Sequence, residues 1–322
     1  MAVRQTTAPF AATTLPGKNV LLAFLLFILF GGGASVAIRT AYQELDPFWT
    51  AAARFGFGAV VFWVIAYIKK IPLPKGKSLL GALLYGLLGV GLGFLFIAWG
   101  LVKTPASLYQ ILMAMVPLAT MFLSASQGIE AITRRGVIGS LLAVVGIVIT
   151  VGGSGSKGFS LPHVIAIIIA AVLIAESSVI IKRFPPNPPV MTNAISMSVG
   201  SLVLGAASLI NGETWALPTQ VATWIAFLYI LIIVSVIGLF LYMFVLGNWT
   251  ASGSSYGFVI VPIVTMTVAA LIAGEKITIN FIIGAVFVLA GVLVGALLPD
   301  KSKSEAQMVC KDSTGQALPR CL

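Results

Sequence analysis

Apolar runs of about 20 residues alternate with short polar breaks along almost the whole chain. They fall at about 19–41, 48–68, 78–102, 105–125, 135–152, 161–182, 189–211, 221–247, 251–273 and 278–298. A helix rising 1.5 Å per residue needs about 20 such residues to cross the hydrocarbon core of a bilayer. The pattern therefore predicts an all-α polytopic membrane protein with ten transmembrane helices. The first run lacks the basic, apolar and small-residue layout of a cleaved leader, so it is expected to be retained.

The pattern repeats itself. PLATMFLSASQGIEAITRRGVIGSLLAVVG, from Pro117, aligns without gaps on PIVTMTVAALIAGEKITINFIIGAVFVLAG, from Pro262, at an offset of 145 residues. Pro117 matches Pro262, Thr120 Thr265, Met121 Met266, Glu130 Glu275, Gly139 Gly284 and Gly146 Gly291. More weakly, SVAIR at 35–39 resembles SVIIK at 178–182. The chain thus reads as a five-helix unit duplicated: residues 1–17 a cytoplasmic tail, 18–153 the first repeat, 154–160 a linker, 161–299 the second repeat and 300–322 a second cytoplasmic tail. Five is odd, so the second unit enters the membrane from the opposite side. Inverted repeats are an architecture of alternating-access carriers, with the substrate site near the midplane between the halves.

Charge fixes the expected orientation. With the N-terminus inside, Arg4, Lys18, Lys69, Lys70, Lys75, Lys77, Arg134, Arg135, Lys182, Arg183, Lys301, Lys303, Lys311 and Arg320 face the cytoplasm; Lys103, Lys157 and Lys276 face outward. Fourteen against three is expected to place both termini on the cytoplasmic side. The net charge of +10 is thereby explained as topology rather than as a nucleic-acid surface. Composition agrees: 59 % of residues are hydrophobic and only 9 % charged, against roughly a quarter charged in water-soluble folds. The two cysteines, Cys310 and Cys321, both lie in the C-terminal tail, which supports neither a disulfide-stapled core nor a thiolate metal site. No P-loop, H-E-x-x-H or paired-aspartate pattern indicates ATP, a metal or another cofactor.

Glu176 is the lone acid of AAVLIAESSVIIK. It lies 14 residues after Pro162, about 21 Å along its helix, where an unpartnered carboxylate is costly. It is expected either to face a cavity and receive a substrate ammonium group or a proton, or to tie to Ser177, Ser178 or another helix. Arg39 near the end of the first helix is expected to reach solvent or pair with Glu44 or Asp46. Arg54, seven residues past Pro47, is expected to be a structural cation tied to carbonyls or to a neighbouring loop. Pro117 and Pro262 are expected hinges, freeing the carbonyls of Met113 and Phe258 unless Thr120 and Thr265 or water satisfy them. Around them Tyr109, Gln110, Met113, Phe94, Trp99, Tyr242, Ser255, Tyr256 and Phe258 form the expected substrate cavity. Gly31, Gly32, Gly33, Gly89 and Gly93 are expected to let helices approach closely.

LFGGGASVAIRTAYQELDPFWTAAARF resembles the first signature of the EamA-type drug/metabolite transporter superfamily: a glycine-rich first helix, a cation near its end, a proline after an acidic loop, then Arg-Phe. The two blocks running from Pro through Glu to Gly-x6-Gly resemble that family's repeat signature. The resemblance spans residues 18–298, departing where Phe30-Gly31 replaces the usual Trp-Gly. It implies ten helices, a central cavity lined by helices 1, 3, 4, 6, 8 and 9, and export of small metabolites. In character it is similar to bacterial exporters of amino acids, aromatic ones included. The implied partners are a small-molecule substrate and the lipid bilayer; one chain suffices, and the oligomeric state stays open. Drugs, nucleosides or organic cations are the alternative cargo, and a channel is an alternative mode. A non-transport alternative is an intramembrane serine protease, built on Ser154 of GGSG and His163. GSSYG at 253–257 matches a nucleophile pattern but falls inside a membrane helix rather than at a strand-to-helix turn.

Overall fold

The computed structural model describes residues 17–128, 134–153, 160–249, 254, 257–272, 274 and 278–294. Among them every regular element is a helix. Among the described residues seven helices are long and apolar enough to cross a membrane: α1 (Lys18–Ala41), α2 (Pro47–Ile68), α3 (Lys77–Val102), α4 (Ala106–Ser126), α6 (Leu161–Ile181), α7 (Pro189–Ile210) and α8 (Val221–Asn248). Between and after them run α5 (Arg134–Gly153), α9 (Gly257–Ile272) and α10 (Ile279–Val292), whose apolar cores are shorter. Each helix keeps within one residue of the span expected from hydropathy at either end or lies inside it. Prolines open α2, α6 and α7 in their first turn, where the missing N–H costs no bond. Outward-facing positions such as Leu22, Leu25 and Leu29 of α1 and Val60, Val64 and Tyr67 of α2 are exposed and apolar, the surface a lipid-bathed bundle presents.

The helices pair across the repeat. Helix α2 packs along α7, and α5 along α10. At the second pair, a Cβ on Gly146 would lie 2.5 Å from the Gly284 carbonyl oxygen, and one on Gly291 would lie 2.4 Å from the Gly139 oxygen. The four glycines that matched at constant offset are therefore the contact itself. Gly139 meets Gly291 and Gly146 meets Gly284, in reversed order, so α5 and α10 run antiparallel. Helices α2 and α7 are antiparallel too: Phe48 and Trp49 reach Glu213, while Ser198 and Ser201 reach Trp63 and Ala52.

Helices α1, α3, α4 and α8 depart from regular α geometry around the middle of the bundle. Helix α1 breaks at Gly33. Gly86–Gly93 of α3 and Tyr229–Gly238 of α8 are wound as π-helix, one wide segment in the third helix of each half. In the second of these, Ser235 Oγ donates to the Ile230 carbonyl five residues back, at 2.8 Å. Wide turns of this kind are rare and gather at functional sites.

Candidate functional site

The irregular segments surround a cavity of about 110 Å³, several times the ~10–15 Å³ that admits one water. Helix α1 contributes Phe27, Gly31, Ala34, Ser35 and Ile38; α2 contributes Arg54 and Phe55; α3 contributes Tyr85, Gly89, Val90, Phe94 and Ile97. Tyr109, Gln110 and Met113 of α4 and Ile174 and Ser177 of α6 continue the wall. It closes with Val234, Ser235, Gly238, Leu239 and Tyr242 of α8 and Phe258 and Val261 of α9. Both halves of the chain line it. The lining is mostly apolar and aromatic, with a few polar groups converging, the composition of a small-molecule site. Phe27, Tyr242 and Phe258 form an aromatic cluster with ring centroids 5.3 to 6.1 Å apart. Tyr242 is held by a 3.0 Å hydrogen bond with Ser178 of α6.

Six of the residues expected at the cavity are therefore brought together: Phe94, Tyr109, Gln110, Met113, Tyr242 and Phe258. Trp99 is not among them; it is 39 % exposed and stacks on His163 with centroids 4.5 Å apart. Ser255 and Tyr256 lie outside the described residues, as does Ser154. Arg39, half-buried at the end of α1, does not line the cavity.

Glu176 does not line the cavity either. The Gln127 amide donates to both carboxylate oxygens at 2.8 Å, and Arg183 Nη2 donates to the Gln127 carbonyl at 2.8 Å. The acid is a tie between α6 and the end of α4. The neighbouring serines hydrogen-bond elsewhere, both donating to the Ile174 carbonyl. Lys182 adds a second tie beside it, donating to the carbonyls of Leu246 and, at 2.8 Å, Trp249 at the end of α8, where a cation also suits the helix dipole. Glu176→Gln keeps an acceptor for Gln127 but removes the charge. We expect it to lower stability by about 1 kcal/mol and to leave the apparent KM for transported solutes within twofold. Thermal melting and flux measured on one preparation check both halves; a large rise in KM with unchanged melting would return the residue to the substrate path.

The expected roles of the two prolines are also refined. Pro117 sits in the first turn of a restarted helix, because α4 breaks at Ala114 and Met115. Pro262 lies inside α9. The partner threonines do not serve the carbonyls expected of them. Thr120 Oγ1 donates to Val116 O at 2.8 Å, and Thr265 Oγ1 crosses to the Gly32 carbonyl of α1 at 2.7 Å.

The sequence compares with known proteins along both halves. The EamA-like transporter family matches residues 18–152 and again 161–296. The chain belongs to the EamA-like transporter family. It is 29 % identical over 276 residues to the Escherichia coli K12 protein named uncharacterized inner membrane transporter YedA, covering 84 % of this chain and 88 % of that one. It is 26 % identical over 295 residues to a Salmonella typhimurium protein named probable amino-acid metabolite efflux pump, covering 86 % and 94 %. A crystal structure matches with a TM-score of 0.66 at 20 % identity over 87 % of this chain and 98 % of that one, which is a likeness of fold.

Two features of this EamA protein are visible only in three dimensions. The first is the break in α1. Tyr229 Oη, at the start of the π segment of α8, donates to the Phe30 carbonyl at 2.7 Å, and Thr265 takes the Gly32 carbonyl. A Cβ on Gly33 would lie 2.9 Å from the Tyr229 hydroxyl and one on Gly32 would lie 2.2 Å from Val264. The glycine run thus does admit neighbouring helices, and it also exposes carbonyls that α8 and α9 satisfy.

The second is a clasp at the end of the bundle carrying residues 42–46 and 211–220. Glu213 accepts the N–H groups of Phe48 at 3.1 Å and Trp49 at 2.7 Å, capping α2. Glu44 returns the favour at α8, accepting Thr219 N at 2.9 Å, Thr219 Oγ1 at 2.8 Å and Gln220 N at 3.2 Å. Asp46 accepts from Thr214 N and Oγ1, and Trp49 stacks on Trp215 with centroids 4.6 Å apart. The Thr219 N–H, with help from the Thr219 hydroxyl and Gln220 N–H, holds the Glu44 carboxyl below its ordinary range.

Proposed function

We propose that the protein is a secondary transporter exporting amino acids or similar small amphipathic metabolites across a bacterial inner membrane. In this reading it has ten transmembrane helices in two inverted five-helix repeats, residues 18–153 and 161–299, with both termini cytoplasmic, and it performs no chemistry on its cargo. Alternating access through the central cavity moves the substrate. The observation that carries the reading is the cavity itself, enclosed by both halves and bounded by wide helical segments in the equivalent helices α3 and α8. The antiparallel meeting of Gly139 and Gly146 with Gly291 and Gly284 supports the inverted relation of the halves. Membership of a transporter family and likeness to a probable amino-acid metabolite efflux pump support the cargo class.

The ties at the two ends of the bundle suit alternating access. Glu44, Asp46 and Glu213 join the halves at one end, and Glu176 and Arg183, both through Gln127, join them at the other. Each opening breaks one set and keeps the other. Organic-cation cargo is disfavoured, because no carboxylate is among the described residues that line the cavity.

Counterflow in proteoliposomes tests the reading. Vesicles loaded with unlabelled solute should transiently accumulate the labelled form, saturably and from the amino-acid portion of a panel that includes sugars and nucleosides. Flux that never saturates and carries current would indicate a channel instead.

A further inference from the structure

Arg54 is 3 % exposed, yet neither Nε nor Nη1 has a hydrogen-bond partner. Its guanidinium carbon lies 4.4 Å from the centre of the Phe55 ring and 4.8 Å from that of Phe94. These rings favour a cation electrostatically but accept none of its N–H groups conventionally. A buried guanidinium left in this way is expensive, and such groups ordinarily carry a carboxylate or a set of carbonyls. Arg54 is the only charged side chain among the described residues lining the cavity. Ser35 lines the same cavity, is wholly buried, and its Oγ also lacks a partner. Two unmatched donors thus share the wall of one cavity whose remaining lining is mostly apolar and aromatic.

We infer that Arg54, assisted by Ser35, is the carboxylate-binding subsite of this cavity. The transported solutes then carry a carboxylate at one end and an apolar or aromatic group that packs against Phe27, Tyr242 and Phe258. The inference rests on the transporter reading and narrows its cargo. A planar guanidinium suits a carboxylate better than an ammonium would, because it offers two parallel N–H groups. The bound anion supplies the acceptor that the fold withholds, and its departure leaves the cation unpaired again, so binding does not become a trap.

The test is competition against the exchange seen in counterflow, using compounds matched in shape. L-Phenylalanine and 3-phenylpropionate carry the carboxylate; L-phenylalaninamide and phenethylamine do not. Leucine, 4-methylpentanoate, leucinamide and isopentylamine form a second set. The carboxylates should inhibit at concentrations about tenfold or more below those of the amides and amines. Arg54→Gln should collapse that ratio to about twofold or less, and Arg54→Lys should leave it intermediate, since it keeps the charge but not the fork. Amides and amines competing as well as the acids, or an undiminished ratio in Arg54→Gln, overturns the assignment while leaving transport standing. Where Arg54→Gln fails to insert, the wild-type ratio decides. A panel in which no solute exchanges saturably defeats the transporter reading itself, and the subsite with it.

Discussion

Gly146→Leu and Gly291→Leu should each unfold or grossly destabilise the protein, by about 3 kcal/mol or more, and to similar extents. A side chain at either position must enter the backbone of the partner helix: Gly284 O and Val288 N, at 2.5 and 2.7 Å, for Gly146, and Gly139 O and Ala143 N, at 2.4 and 2.7 Å, for Gly291. Backbone cannot swing aside as the end of a flexible side chain can, so the helices must separate. Overpacking a close interface costs about 1–3 kcal/mol for a methyl group and more for a larger one. In a bilayer, where packing rather than solvent exclusion joins helices, that loss falls directly on the α5–α10 pair. Alanine should cost about 1–3 kcal/mol at either site. Gly205 of α7 is the control, since its Cβ would meet nothing within 4 Å. Gly205→Ala should be neutral or stabilising by up to about 1 kcal/mol, because it removes backbone freedom from the unfolded chain. Thermal melting of the detergent-solubilised variants checks all of these; a marked inequality between Gly146→Ala and Gly291→Ala would argue that the crossing is not two-fold.

Glu213→Ala should open the clasped end. The carboxylate satisfies two otherwise orphaned N–H groups of α2 from the other half of the chain, so its loss removes a helix cap and a tie between halves together. Together they are worth about 2 kcal/mol, which shifts a two-state equilibrium roughly 30-fold toward the form with that end open. Acid should act in the same direction through Glu44. Its native pKa lies below the unfolded value, so its contribution is present above the unfolded pKa and is lost as pH falls through the native one. A cysteine placed at Ala34 on the cavity wall reports the change: its modification from the clasped face should quicken in Glu213→Ala and on acidification. No change in rate would show that the clasp does not gate the cavity.

Hydropathy revealed the helices because a bilayer imposes length and composition on every crossing, and the repeat was visible because both copies keep the same contact glycines. The site was legible only in part. Distance along a helix gives depth in the membrane but not azimuth, so Phe94 and Trp99 of α3, five residues apart, looked equivalent although only Phe94 reaches the cavity. Glu176 drew attention by its cost, but its partner, Gln127, comes from 49 positions earlier on another helix. Arg54 is the converse case. Its burial was predictable; the absence of acceptors for Nε and Nη1 depends on which side chains surround it and is written in no single segment. The π segments share no common composition, one glycine-rich and the other rich in isoleucine and valine, so no shared sequence signal marks them.

The most direct test of the account is two-sided access to the cavity. In a variant carrying Ala34→Cys, with Cys310 and Cys321 replaced by serine, a small impermeant thiosulfonate should modify the new cysteine from either face of the vesicle, and transported solute should slow both reactions. Modification from one face alone, whichever solutes are present and on whichever side, would contradict alternating access.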